Sequence, residues 1–254
     1  MKITKKYLGL RIVLLLFIAQ IQISCQAAVV VMGTRQIYPE GARDIVVSLT
    51  NEGILPGLIQ VWLDTGNPNE APESISVPFL VSPPVFRMEA RAKRGVRLIL
   101  TDPDLRKDRE SVYWLNVLEI PPKPKNAEDG NYLQFAVKTR IKVFYRPKIL
   151  SYTSAIQAAK SIEWSVRRYP TGVKIVANNP SPHYISVNSV GLSAAGGTQY
   201  VTAPAMIEPL SAKEYNLKVQ DADASFSELV YSIIDDSGAI SEFKRAVSVI
   251  DSTL

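Results

Sequence analysis

Short bursts of alternating apolar residues recur along this chain, and they constrain its fold more than any other feature. Ile45, Val47 and Leu49 share one face of the run 43–50, and Val96, Leu98 and Leu100 share one face of the run 95–101. A period of two marks a strand with one buried face. Runs at 58–63, 77–81, 111–120 and 132–145 carry the same β-branched and aromatic bias. Turn-rich pieces separate them, such as Tyr38-Pro39-Glu40-Gly41 and Asp102-Pro103-Asp104. Short strands at regular spacing with polar turns predict an antiparallel sandwich or barrel. No stretch beyond residue 27 sustains a 3.6-residue period with caps, so the expected fold class is all-β.

Arg146-Pro147 punctuates the chain, because proline cannot donate to a ladder and the long strand before it should end there. Residues 148–160 read as a turn or linker. The strand pattern then resumes at 162–168, 173–178, 184–192, 213–219, 228–234 and 239–250. This predicts a second sandwich of about 100 residues, the usual size of an immunoglobulin-like unit. The expected division is a leader at 1–27, one domain at 28–149 and another at 150–254, set as an L or boomerang with a cleft between them.

The leader accounts for most of the apparent basicity. Lys2, Lys5, Lys6 and Arg11 precede an apolar run from residue 12 to 23, followed by Cys25 and Ala27 at the small-residue positions for cleavage after Ala27. This is the three-part pattern of a secretory signal peptide. Reading Cys25 as a lipoprotein anchor is the weaker alternative, because Gln22-Ile23-Ser24 before it lack the expected leucine. Of 29 basic residues four lie in the leader, leaving 25 against 24 acidic ones and a net charge of +1. A nucleic-acid partner needs a persistent basic surface and loses its support. The single Cys leaves with the leader, so the mature chain can occupy an oxidising compartment without forming disulfides. One His excludes any site that needs two imidazoles. No second apolar run approaches a membrane-spanning length.

Three segments are more specific: DRESVYWLNVLEIPP at 108–122, LQFAVKTRIKVFYRP at 133–147 and NPSPHYIS at 179–186. With Thr34-Arg35 and SPPVFRME at 82–89 they stand in order along the whole mature chain. Together they resemble the PapD-like periplasmic pilus chaperones of the chaperone–usher pathway. The resemblance implies two immunoglobulin-like β-sandwich domains that bind exported pilin subunits. Such a subunit is an unfinished sandwich. The chaperone lends it a strand, blocks premature polymerisation and delivers it to an outer-membrane usher. An open sheet edge templates uncontrolled pairing, so covering it is a physical need. The short connection 123–131 resembles the short-loop branch of the family.

The resemblance also implies residue roles. Leu133, Phe135 and Val137 share one face at period two and match the donor strand that fills the subunit groove. Alternation alone does not distinguish a face that packs on its own core from one that packs on a guest. Ile141 and Val143 continue this face and are assigned to the chaperone's own core. Arg35 and Lys142 match two cleft cations that clamp the subunit's terminal carboxylate. Arg140 shares a strand face with Lys142 and is read as a surface residue. Glu110, Arg146 and Asp236 match a charged trio between the domains. Pro83-Pro84 matches a place where the family has a cis bond. Arg106 and Ala90 depart from family positions that usually hold a small residue or proline.

His183 follows Pro182 and is expected to be a loop residue or to open a strand. No G-x-S-x-G elbow exists, so nothing supports an exported hydrolase. The expected protein is not an enzyme and needs no cofactor and no metal. Its expected partners are pilin subunits and an usher, and the sequence leaves a self-dimer of the free molecule open. The competing class is a surface-adhesive or structural fimbrial protein. It is disfavoured because the mature chain carries neither Cys nor an obvious donor extension before Val29.

Overall fold

A computed structural model describes residues 29–123, 133–150, 155–169, 172–194, 197–201, 204–218 and 225–251. The leader, most of the 123–131 connection, Tyr132 and part of the 148–160 linker lie outside the described residues.

The first half comprises β1 (Val29–Val31), β2 (Arg35–Pro39), β3 (Ile45–Asn51), β4 (Gly57–Asp64), β5 (Phe79–Ser82), β6 (Val85–Met88), β7 (Lys93–Leu100), β8 (Ser111–Ile120) and β9 (Val137–Arg146). They form a four-stranded sheet in the order β1-β3-β7-β5 and a five-stranded sheet in the order β2-β9-β8-β4-β6. The alternation seen in the sequence is the alternation of faces. Val47, Leu49, Val96 and Leu98 are fully enclosed, while Val46 faces outward. Ile59, Val61, Leu63, Leu115, Val117 and Val143 meet them from the facing sheet, and the two inner faces make one core.

The second half opens with α1 (Ala155–Lys160), a short helix that the hydrophobic period of the sequence does not reveal. Its six residues are too few for a period to show, and tertiary packing of Ala155, Ala158 and Ala159 holds it. The strands that follow are β10 (Glu163–Tyr169), β11 (Gly172–Asn179), β12 (Ile185–Ala194), β13 (Gly197–Val201), β14 (Ala205–Ile207), β15 (Ser211–Leu217), β16 (Phe226–Ile234), β17 (Ile240–Ala246) and β18 (Val249–Asp251). They build sheets β15-β11-β10-β18 and β13-β12-β16-β17, with β14 also on β12. The run expected at 239–250 is two strands: β17 pairs antiparallel with β16, and β18 crosses to pair in parallel with β10. Its core is separate from the first and gathers around Ile175, Ile185, Leu192 and Tyr231. The fold is all-β, two immunoglobulin-like sandwiches in one chain, with short helical pieces only.

One difference from the sequence reading positions the site. The ladder of β9 starts at Val137 rather than near Tyr132, because its partner β8 ends at Ile120. Pro121 and Pro122 follow, and prolines cannot extend the ladder. At the other end β9 stops before Pro147 as expected. The Ser82–Pro83 bond is cis.

Candidate functional site

The ribbon 133–146 changes character along its length while keeping one parity. Ile141 and Val143 are 7% and 0% exposed and belong to the core. Leu133, Phe135 and Val137 lie on the same parity, yet they are 78%, 68% and 37% exposed. The alternative that this whole face packs on its own sandwich therefore fails for its first half. One flank of β9 pairs with β8 from Val137 to Tyr145. The other flank pairs with β2 in parallel, but only from Lys142 to Arg146. Among the described residues no strand covers that second flank from 137 to 141. Beside it lies a cavity of about 410 Å³ lined by Val29, Val31, Gly33, Thr139 and Ile141. An uncovered edge next to exposed Leu and Phe is a template for another strand.

Two cations stand where the covered part of that flank begins. Arg35 on β2 and Lys142 on β9 are direct partners in the parallel ladder. Arg35 is buried; its Nη1 donates to the Ile234 carbonyl at 2.8 Å, and Nε has no hydrogen-bond partner among the described residues. Burial lowers its pKa, against the raising influence of Asp236 and Asp235. Burial, and then the charge of Arg35, pull the Lys142 ammonium down to about 8. Lys142 Nζ donates to Ser186 Oγ at 3.4 Å, across to β12 of the second sandwich. Two like charges partly stripped of water have the chemistry to accept one small anion. A carboxylate would relieve both their desolvation and their repulsion.

Glu110, Arg146 and Asp236 meet between the sandwiches. Arg146 Nε donates to Glu110 Oε1 at 2.6 Å, and its Nη1 and Nη2 donate to the two oxygens of Asp236 at 2.8 and 2.9 Å. Desolvation opposes the Arg146 charge, but the two carboxylates outweigh it and raise the pKa above the ordinary guanidinium value. Glu110 Oε2 accepts from the Tyr184 amide at 2.8 Å, and the Glu110 amide donates to the Pro182 carbonyl at 3.0 Å. These contacts tie the segment 179–186 to Glu110 of the first sandwich. Asn179 Nδ2 donates to the carbonyls of His183 and Glu208, while its Oδ1 accepts from Ser181. The bend so fixed presents Pro182 and Tyr184 to Glu110.

Arg140 differs from the sequence reading, and His183 stands where expected but in an unexpected environment. Arg140 is not a solvated surface residue. Its guanidinium pairs with Asp64 and lies 4.3 Å from the centre of the Trp114 ring. Asp64 is almost fully enclosed, and it also accepts from Asn116 Nδ2 and the Gly66 amide. Desolvation would raise its pKa, but bonds from Arg140, Asn116 and Gly66 together bring it below the ordinary carboxylate value. His183 does sit in a bend just before β12, yet its ring is wholly buried, with Nδ1 3.2 Å from Glu110 Oε1. Among the described residues no hydroxyl bonds to either ring nitrogen of His183, so the pair does not form a triad there. Among the described residues no group of three His, Cys, Asp or Glu stands ready to hold a metal.

Comparison with known proteins places the fold in a family. Residues 28–151 match the family described as "Pili and flagellar-assembly chaperone, PapD N-terminal domain", and residues 157–245 match "Pili assembly chaperone PapD, C-terminal domain". The chain is 36% identical to the chaperone protein FimB/FhaD of Bordetella pertussis, over 91% of this chain and 93% of that one. It is 39% identical to the probable fimbrial chaperone YadV of Escherichia coli, over 84% and 88% respectively. The YadV crystal structure superposes with a TM-score of 0.70 over 86% of this chain and 99% of that one, at 34% identity. The SafB chaperone of Salmonella enterica, solved with the SafA pilin, superposes with a TM-score of 0.72 at 26% identity, over 88% of this chain and 98% of that chain. The chain belongs to the PapD family of pilus-assembly chaperones.

Proposed function

We propose that this chaperone binds pilin subunits in the periplasm by donor-strand complementation and passes them to an outer-membrane usher. The observation that carries the reading is the exposed apolar face of Leu133, Phe135 and Val137 beside an uncovered sheet edge that ends at a cation pair. The subunit's last strand adds to the free flank of β9, and its terminal carboxylate sits between Arg35 and Lys142. That end point sets the register, because a one-residue slip would turn Phe135 away from the groove. Fully burying a side chain such as Phe135 or Leu133 is worth about 1.5–3 kcal/mol. The Glu110–Arg146–Asp236 contacts hold the angle between domains, taken as 28–149 and 150–254, so that Ser186 and Ile234 close the cleft behind the cations. Binding needs no bond to be made or broken. The leader pattern of residues 1–27 supports export and cleavage, and the usher step rests on the family's role.

The test is co-expression with a candidate pilin subunit, with the leader intact. A soluble one-to-one complex in the periplasmic fraction is expected, and the pilin should aggregate or be degraded without the chaperone. Recovery of the chain as a stoichiometric part of the assembled fibre would favour a structural fimbrial protein instead.

A further inference from the structure

The cation pair raises a problem that Arg35 and Lys142 do not solve by themselves. Arg35 is anchored by its bond to the Ile234 carbonyl. The Lys142 ammonium ends a flexible four-carbon stem and is repelled by Arg35 on the adjacent strand. Its hydrogen bond to Ser186 is long, at 3.4 Å. A side chain so placed should swing to open water unless another surface attracts it.

Trp114 supplies that surface. It is the direct partner of Lys142 across the β8–β9 ladder, so both side chains rise on one face of the sheet. Lys142 Nζ lies 5.4 Å from the ring centre, within range of the attraction between a cation and an indole face. The same ring packs under the Arg140 guanidinium at 4.3 Å. Arg140 is held in turn by Asp64, which Asn116 and the Gly66 amide fix. A line of contacts therefore runs from a buried carboxylate on β4, through Arg140 and the indole, to the ammonium.

We propose that Trp114 is a positioning residue of the clamp, its indole holding the Lys142 ammonium where a partner's terminal carboxylate meets it. The inference rests on the carboxylate reading above. Asp64 and Arg140 act one step further out, by fixing the ring. The consequence is specific. The indole should favour a strand ending in a free carboxylate over the same strand ending in an amide, whereas general packing would support both alike.

The probes are a synthetic peptide of alternating valine and serine with a free C-terminal carboxylate, and its C-terminal amide, each titrated against the full mature chain. The wild type should prefer the carboxylate by roughly tenfold or more, as expected for charge-assisted bonds to one anion. Trp114→Leu should shrink that preference about fivefold, and Trp114→Phe, which keeps an aromatic face, should restore most of it. Trp114 lies on the outer face of the sheet rather than in the core, and thermal unfolding confirms that each variant is folded before it is titrated. If the wild type discriminates and Trp114→Leu discriminates equally well, the positioning role is overturned and the clamp stands. If the wild type does not discriminate, the clamp reading falls, and the role of Trp114 falls with it.

Discussion

A lysine whose ammonium is destabilised in the free protein makes subunit binding depend on pH. Burial, with Arg35 adding to it, brings Lys142 from 10.5 down to about 8. A bound carboxylate contacts the charged form and raises the value again. Below about pH 7 the free chaperone already carries the proton, and affinity should be flat. As pH rises through about 8 the free ammonium loses its proton, and binding must take one up. Affinity should then fall by up to about tenfold per pH unit until the bound-state value is reached. Calorimetry in buffers of different ionisation enthalpy measures this directly, as uptake approaching one proton near pH 9. Stability of the free chaperone runs the other way. Its folded-state value lies below the unfolded one, so between about 8 and 10.5 the unfolded chain binds more protons and this lysine's contribution to stability grows with pH. Lys142→Gln should abolish both trends and weaken binding most below about pH 7, with the gap to the wild type narrowing as pH rises. Wild-type affinity that stays constant across this window, with no proton uptake, would refute the reasoning.

Other outcomes follow from the same contacts. Phe135→Glu places a charge in an apolar groove at a cost of several kcal/mol, so affinity for the purified subunit should collapse. Phe135 is 68% exposed in the free chain, so the chaperone's own melting temperature should barely move. Glu110→Ala leaves Arg146 short of a buried partner and should cost about 3–5 kcal/mol in denaturant unfolding, with a wider spread of interdomain angles in small-angle scattering. Arg35→Ala should leave folded chaperone in the periplasm but abolish recovery of soluble subunit, and normal subunit levels would contradict the clamp.

What was legible in the sequence was whatever depends on neighbours along a strand. Alternation marked the buried faces of β3 and β7, and it placed Leu133, Phe135 and Val137 on the face that later enters the core at Ile141. Whether that face met its own core or a guest depended on where the partner strand stops, and Pro121-Pro122 decide it. Strands of three to five residues, such as β1, β2 and β14, carry too few residues for a period to show. The parallel pairing of β2 with β9 joins residues more than a hundred positions apart, and only the family resemblance coupled Arg35 to Lys142. Arg140 was misread for a related reason. Its parity with Lys142 was plain, but Asp64 and Trp114 reach it from other strands. His183 is buried by the fold of 179–186 against Glu110 of the other domain, which no local pattern announces.

The central claim is that the uncovered flank of β9 receives a strand from the subunit. Amide hydrogen exchange, measured residue by residue from 133 to 141 in the free chaperone and in the purified complex, tests it most directly. Amides there that do not face β8 should exchange readily in the free protein and become strongly protected in the complex, while the 142–146 ladder to β2 stays protected in both. Unchanged exchange from 133 to 141 on binding would contradict the account.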